Sequence, residues 1–210
     1  MELTNAELYT RLAMLAYKEE TDQLERHLPE LGYSLLRHET QRDFGVLPYY
    51  MAYNATRKNL VISIRGTSSL QDAMINLVVD PVVVKTTPNC PFTGDRHSVD
   101  VQCHQGMLLA AEQLCPTIEA IINDIAIPLG YQTTLVGHSL GGGTAALLGV
   151  LLRGRHPNLL GSPDKLYVWS IASPAMLWHR RVAEANFITA VVNGFDIVPR
   201  FGVYQVRKFT

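Results

Sequence analysis

The sequence has 210 residues, a length that suits one domain of ordinary size rather than two. Apolar residues make up 47% and charged residues 18%, which is the balance of a folded globular protein and excludes a disordered one. The formal net charge of -1 provides no bulk electrostatic attraction for nucleic acid, so no nucleic-acid partner is predicted.

Strands and helices alternate along the chain. The first ~20 residues place apolar side chains at helical spacing and predict an amphipathic helix. Short apolar runs predict strands at residues 49–54, 60–64, 133–136, 166–171 and 188–192. Helical patterns occupy residues 70–78, 105–127, 140–153 and 178–185. This order predicts an α/β fold with a mainly parallel sheet covered on both faces, in which ligands bind beyond the carboxyl ends of the strands.

Neither a signal peptide nor a membrane span is predicted. The opening residues MELTNAEL lack a basic segment followed by an apolar run. The longest apolar stretch, Thr144 to Leu152, is far shorter than the roughly 20 residues that cross a bilayer. We therefore expect a chain that is cytoplasmic or peripheral to a membrane. The sequence indicates no oligomeric state.

The segment from Thr86 to Val101 differs from the rest of the chain. It contains Thr-Thr-Pro-Asn, Cys-Pro and Thr-Gly-Asp and has little periodicity, so it predicts a long loop. Loops of this length in a compact domain often serve as functional lids.

The strongest motif is Gly-x-Ser-x-Gly, formed by Gly137, Ser139 and Gly141 between a predicted strand and a predicted helix. A nucleophile elbow requires this setting, because its sharp turn leaves no room for a Cβ two residues before or after the serine. His138 is the elbow residue before the serine, and the helix dipole would favour negative charge at the Ser139 hydroxyl. A phosphate-binding loop is excluded, since no Gly-x-Gly-x-x-Gly precedes Ser139 and no Lys-Ser/Thr follows.

Two other strand ends carry candidate site residues. Asp196 follows the strand at 188–192, where the acid belongs in the chain order serine, acid, histidine, and would fix the tautomer of a histidine. The alternative is a turn aspartate that caps local amides. Thr67 follows the strand at 60–64, so its amide and that of Leu140 are candidate oxyanion donors, each worth roughly 3–4 kcal/mol.

These motifs resemble those of the class 3 lipases, the fungal-lipase-like branch of the α/β-hydrolases. The resemblance lies in IRGT at 64–67, HQG at 104–106, GHSLGGG at 137–143 and DIVPR at 196–200. The residues at 61–80, 137–148 and 187–202 are similar to the sn-1-specific diacylglycerol lipases in particular. The resemblance implies an α/β-hydrolase in which Ser139 is the nucleophile, Asp196 the triad acid, and Thr67 and Leu140 the oxyanion donors.

The resemblance also implies one hydrolase domain over 1–210, with a lid loop at about 81–102 that covers the site. The implied substrate is a lipid ester met at a membrane or lipid-droplet surface. His104 in the His-x-Gly motif is interpreted as structural. Neither a cofactor nor a metal is predicted; Asp72, Asn76 and Asp80 share a helical spacing that is more typical of a solvated face.

One part of the family pattern has no counterpart here. The catalytic histidine of class 3 lipases follows the DxVPR aspartate, and no histidine follows Asp196 in this sequence. The remaining candidates are His97, His138, His156 and His179, none of which stands in the expected order. Three explanations stay open: a C-terminally truncated chain, a relative that lost catalysis but kept a lipid pocket, or a site completed by another chain or by a rearranged histidine.

The leading interpretation is a serine hydrolase that cleaves an acyl ester of a glycerolipid, such as diacylglycerol or triacylglycerol, through an acyl-enzyme. The first alternative is a catalytically impaired pseudo-lipase that binds lipid, which the missing histidine favours. The second is an interaction module whose elbow is a structural relic. Retention of Ser139, Asp196 and the Arg-Gly-Thr segment favours the hydrolase.

Overall fold

A central sheet with helices on both faces forms the body of the computed structural model, which describes residues 3–40, 46–67, 81–85, 100–160, 162, 164–178, 185–196 and 198–200. The helices are α1 (Asn5–Leu15), α2 (Thr21–His27), α3 (Gln105–Ile121), α4 (Leu140–Arg155) and α5 (Pro157–Leu160). A π-helical turn at Ile122–Ala126 continues α3, and 3-10 turns lie at Pro29–Leu31 and Val198–Arg200. Among these described helices, none is both long enough and apolar enough to cross a bilayer.

The strands form two sheets. They are β1 (Ser34–Glu39), β2 (Tyr49–Asn54), β3 (Asn59–Ile64), β4 (Pro81–Lys85), β5 (Asp100–His104), β6 (Gln132–His138), β7 (Leu166–Ile171), β8 (Leu177–Trp178) and β9 (Ile188–Val191). The large sheet has the order β1-β2-β3-β6-β7-β9. Strands β3, β6, β7 and β9 pair in parallel, whereas β2 pairs antiparallel with both β1 and β3. The small sheet, β4-β5-β8, is antiparallel. The predicted mainly parallel α/β sheet is confirmed.

Burial on both faces explains why the central strands read as unbroken apolar runs. Every residue of β3 is buried, as a strand covered on both faces requires. One face packs against α3 and α4, and the other packs against α1 and α2. Fully burying one large aliphatic side chain in such a core contributes roughly 1.5–3 kcal/mol.

Helix α1 is capped at its start and fastened to the sheet near its end. A capping box between Thr4 and Glu7 starts the helix by satisfying its first free amides. Near the other end, the Leu12 carbonyl accepts hydrogen bonds from Tyr50 Oη at 2.6 Å and Ser63 Oγ at 3.0 Å. The chain that leaves α1 therefore reaches the carboxyl edge of the sheet in a fixed position.

The predicted loop at 81–102 needs a correction. Its two ends are strands, because β4 pairs with β5 over the register from Pro81 with His104 to Lys85 with Asp100. The β-branched run Val82 to Val84 supplies the strand pattern that the surrounding prolines and threonines obscured. Residues 86–99, like the predicted helix at 70–78, lie outside the described residues, and the role of the segment as a lid stays a prediction.

Three other elements differ from the sequence prediction. Helix α2 and strand β1 had no predicted counterpart, since α2 buries only Leu24 and β1 has no fully buried residue. The predicted start of the helix at 178–185 is wrong, because Trp178 belongs to β8. Strand β8 pairs with Gln102 and Cys103 of β5. Residues 179–184 lie outside the described part of the chain.

Candidate active site

Ser139 lies at a strained turn between β6 and α4. Its backbone has φ 57° and ψ −126°, a conformation that costs a residue with a Cβ about 1–3 kcal/mol. The surrounding structure holds it there: the Ser139 amide donates to the Ile171 carbonyl at 2.9 Å, and its carbonyl accepts from the Gly142 amide at 3.0 Å. The residue is only 8% exposed. This is the strand-turn-helix geometry of a nucleophile elbow.

The glycines of the motif are required by contact rather than by flexibility. A Cβ at Gly137 would lie 2.3 Å from the carbonyl of Gly141, and a Cβ at Gly141 would lie 2.2 Å from the carbonyl oxygen of Ile64. Both contacts are with backbone atoms, which have no rotamer by which to move away. The spacing of the motif therefore lets the start of α4 sit directly on the end of β3.

The segment after β3 packs against the elbow. A Cβ at Gly66 would lie 2.5 Å from the His138 carbonyl oxygen, so this turn and the elbow touch. Thr67 Oγ1 is buried and has no hydrogen-bond partner among the described residues, a state that costs about 1–3 kcal/mol. Leu140 is the first residue of α4, where helical amides have no acceptor inside the helix. Both predicted oxyanion donors thus belong to one edge of the sheet.

Asp196 lies in a tight turn beyond β9. Its amide donates to the Asn193 carbonyl at 2.9 Å, and its Oδ1 accepts from the Val198 amide at 3.0 Å. The Arg200 guanidinium donates to the carbonyl oxygens of Asp196 at 2.5 Å and Gly194 at 2.9 Å. The turn is fixed by its own backbone and by Arg200. Capping of a local amide by Asp196, the alternative noted above, therefore does occur, and it engages one carboxylate oxygen.

The environment of His138 links the elbow to Asp196. Burial lowers the pKa of His138, and the nearby Asp196 carboxylate opposes that change without reversing it. His138 Nδ1 lies 2.9 Å from Tyr17 Oη. Burial therefore favours the neutral form of the ring, and its Nδ1 is engaged by Tyr17.

Of the other histidines noted in the sequence, two have hydrogen-bond partners of their own and two lie outside the described residues. His104 is the N-cap of α3, where its Nδ1 accepts from the Met107 amide at 3.3 Å, a contact that supports its structural interpretation. His156 follows the far end of α4 and is hydrogen-bonded to Glu119. His97 and His179 lie outside the described residues. In the described ranges, no three His, Cys, Asp or Glu side chains are grouped to hold a metal ion.

Tyr17 was not found from the sequence, and no role was predicted for Arg65 of the IRGT segment. Tyr17 follows α1 and hydrogen-bonds to His138, and Arg65 follows β3 with its guanidinium 3.1 Å from Glu19. Burial is the main cause that raises the pKa of Tyr17, against the opposing charge of Arg65. Tyr17 stands 121 positions before His138, and no local pattern signals a contact across that separation.

The sequence is similar to those of known proteins. Residues 61–205 match the family of class 3 lipases. This chain belongs to the class 3 lipase family. Human diacylglycerol lipase-alpha is 35% identical over 170 residues, a match that covers 77% of this chain and 15% of that enzyme. A Rhizopus niveus lipase is 25% identical over 126 residues, covering 60% of this chain and 29% of that lipase.

Solved structures confirm the α/β-hydrolase fold of this class 3 lipase relative. The lipase of Rhizopus microsporus var. chinensis superposes with a TM-score of 0.73 at 21% identity, over 97% of this chain and 72% of that one. A triacylglycerol lipase described as having a serine protease triad gives a TM-score of 0.74 at 21% identity, over 97% and 77%. The match to human diacylglycerol lipase-alpha, in contrast, spans only a small part of that enzyme.

Proposed function

We propose that this chain is the core of a serine hydrolase that cleaves an acyl ester of a glycerolipid, with diacylglycerol or triacylglycerol as the substrate class. The observation that carries the proposal is the strained, positive-φ Ser139 at the start of α4, with the Gly66–Thr67 turn packed against it. Names of relatives such as diacylglycerol lipase-alpha support the substrate class.

In the proposed reaction, Ser139 Oγ attacks the ester carbonyl carbon while a base takes its proton. The amides of Thr67 and Leu140 donate to the resulting oxyanion, joined by the Thr67 hydroxyl, which has no partner in the described structure. The C–O bond to the glycerol then breaks, and the departing alkoxide receives the proton. Water hydrolyses the acyl-Ser139 ester to release the fatty acid.

Asp196 is the proposed acid that orients the base. One of its carboxylate oxygens accepts from the Val198 amide, and the charge of the carboxylate acts on His138 of the elbow. The base itself has no matching histidine after Asp196 in this sequence. Loss of one triad member costs a serine hydrolase about 10⁶ in turnover, and the oxyanion donors alone retain about 10³–10⁴ over water.

The contacts of two described histidines favour one second candidate function, a pseudo-lipase that binds lipid without turnover. Among the described histidines, His138 is engaged by Tyr17 and His156 by Glu119. The two candidates share the elbow and differ in whether Ser139 is activated.

The deciding experiment is hydrolysis of a short-chain p-nitrophenyl ester and of a diacylglycerol in mixed micelles, with Ser139→Ala as the matched control. We expect turnover above that of the variant, together with labelling of Ser139 by a fluorophosphonate. Rates equal to those of Ser139→Ala and no labelling would refute the hydrolase. Retained binding of diacylglycerol in that case would establish the pseudo-lipase.

We also propose that the chain meets its substrate as a peripheral protein at a lipid surface. Phe195 is 98% exposed and Val192 is 46% exposed on the turn that holds Asp196. A fully exposed phenylalanine is unfavourable in water, whereas its insertion at the headgroup boundary buries the ring. Because this turn follows a parallel strand at the same edge as Ser139, its insertion would bring the site to the lipid.

Sedimentation with vesicles containing diacylglycerol tests this surface. Phe195→Ser should reduce the bound fraction severalfold. Leu129→Ser is the matched control, since Leu129 is 57% exposed but lies before β6, at the amino edge of the sheet. Equal binding of wild type and Phe195→Ser, or an equal loss in both variants, would contradict the proposed orientation.

A further inference from the structure

We propose that Tyr17 is a positioning residue of the hydrolase site, because its hydroxyl holds the oxyanion turn, Gly66 and Thr67, against the nucleophile elbow. This inference rests on the proposed function for its catalytic consequence. Its structural part is that Tyr17 links the residues after α1, β3 and β6, and this part rests on contacts alone. The hydroxyl belongs to the residue that leaves α1, outside the 61–205 segment that matches the class 3 lipases.

The Tyr17 hydroxyl touches both halves of the site. Tyr17 Oη lies 2.9 Å from His138 Nδ1, one residue before Ser139. A Cβ at Gly66 would lie 2.5 Å from the same Tyr17 Oη and 2.5 Å from the His138 carbonyl oxygen. The hydroxyl therefore sits directly against the Gly66 backbone. Hydrogen bonding from the Gly66 backbone also lowers the pKa of Tyr17, although burial keeps that pKa raised.

These contacts give the hydroxyl a defined role. A tyrosine oxygen can accept one hydrogen bond and donate another, so it can accept from the Gly66 amide and donate to His138 Nδ1. The neutral form of His138 that burial favours provides the acceptor. The oxyanion turn and the elbow are then joined through one oxygen atom, whose position sets the separation between the Thr67 and Leu140 donors.

Tyr17 is itself held from several sides. Its amide donates to the Met14 carbonyl at 3.2 Å, and its ring lies edge-on to His138 with 5.8 Å between the ring centroids. The Arg65 guanidinium carbon lies 5.9 Å from the Tyr17 ring centroid. Because α1 is fastened to the sheet, the hydroxyl is held by a rigid element, which is the arrangement that accurate positioning requires.

The matched variants are Tyr17→Phe and Tyr50→Phe. Each removes one hydroxyl from a buried or half-buried ring, and each loses a bond that fastens α1 or its end to the sheet. Tyr50 donates to the Leu12 carbonyl at 2.6 Å and has no role in the oxyanion turn. A purely structural role for Tyr17 would therefore make the two variants behave alike.

The first measurement is amide hydrogen exchange of the full chain, resolved to Gly66 and Thr67, which needs no catalytic activity. Tyr17→Phe should speed exchange of the Gly66 amide at least about tenfold, because it loses its acceptor, while strands β3 and β6 stay protected. Tyr50→Phe should leave Gly66 exchange within about twofold of wild type. Unchanged Gly66 exchange in Tyr17→Phe would overturn the inference, whether or not the chain is an active hydrolase.

The second measurement is the reaction of Ser139 with a fluorophosphonate, separated into reversible binding and covalent rate. Because a misplacement of about 1 Å can cost 10²-fold, Tyr17→Phe should lower the covalent rate about 10- to 100-fold with little change in reversible binding. Tyr50→Phe should lower neither by more than about twofold. Equal covalent rates for Tyr17→Phe and wild type would overturn the catalytic part of the inference. A wild-type chain that does not react would refute the proposed function instead, and the exchange result would still decide the role of Tyr17.

Discussion

The two ends of helix α4 differ in which groups surround the backbone amides and carbonyls that have no partner inside the helix. At its N-terminus, Ser139 occupies the cap position without a side-chain hydrogen bond, and the next residues include Gly141, Gly142 and Gly143. At its C-terminus, Arg153 and Arg155 lie in the last turn, where positive charge interacts favourably with the negative end of the helix dipole.

The C-terminal end is closed by side chains from neighbouring elements. Arg153 is 2% exposed, and its guanidinium carbon lies 4.0 Å from the centroid of the Phe187 ring. It donates to the Leu166 carbonyl at 3.3 Å, and burial lowers its pKa to about 10. Glu119 of α3 pairs with Arg155 at 3.3 Å and with His156.

The difference teaches where this fold can hold a ligand. At the C-terminal end, Arg153 donates to a β7 carbonyl and lies over the Phe187 ring, and Arg155 pairs with Glu119 of α3. At the N-terminal end, the glycines bring backbone close to backbone and no side chain of the cap bonds to the first amides. Those amides, with the positive end of the dipole, are a ready site for negative charge.

The largest effect is expected from Gly141→Ala, which fills the close approach at the N-terminal end. The new Cβ would meet the Ile64 carbonyl oxygen at 2.2 Å, so the backbone of α4 or β3 must move. We expect a loss of about 3 kcal/mol in the free energy of unfolding, measured by urea denaturation. Fluorophosphonate labelling of Ser139 should fall more than about 100-fold, because its position shifts. A variant with unchanged stability and labelling would contradict this account of the motif.

Gly154→Ala makes the matched change at the other end of the same helix and should have the opposite sign. An added Cβ there meets no atom within 4 Å, and α4 continues through this position. Replacing a helical glycine by alanine should raise the free energy of unfolding by about 0.5–1 kcal/mol. Ser139 labelling should stay at the wild-type rate. A destabilised Gly154→Ala would show that glycine has a role at both ends.

The smallest effect is expected from Glu119→Gln, which removes the charge that pairs with Arg155 and His156. At neutral pH it should lower the free energy of unfolding by about 0.5 kcal/mol, because the pairs are partly exposed. The hydrogen bond from His156 is the main cause that lowers the pKa of Glu119 below its ordinary 4.5. A carboxyl with a depressed folded pKa stabilises fully above 4.5 and loses that contribution as pH falls through its folded pKa.

Urea denaturation of wild type and Glu119→Gln at a series of pH values measures this contribution. The difference between the two proteins should shrink as the pH falls below 4.5. Labelling of Ser139 should be equal in both. A difference that grows as the pH falls below 4.5 would have the wrong sign for a paired carboxylate.

Local patterns were sufficient for five of the six strands of the large sheet and for the elbow. Strand β7 was predicted at its observed bounds, and the strand before Ser139 and the helix after it were predicted within two residues at each end. These elements are apolar, and glycines lie on either side of Ser139, so adjacent residues carry both the periodicity and the steric requirement of the turn. Strand β1 and helix α2 escaped because neither has a strongly buried pattern.

The sequence by itself determined the α/β architecture, the position of Ser139 and the strand ends that carry Thr67 and Asp196. Only the tertiary structure decided that Gly66 packs on the elbow, that His138 is engaged and that Tyr17 reaches both. The physical reason is range: a turn or a helix is specified by residues a few positions apart. Contacts between Tyr17, Gly66 and His138 exist only after α1, β3 and β6 have packed together.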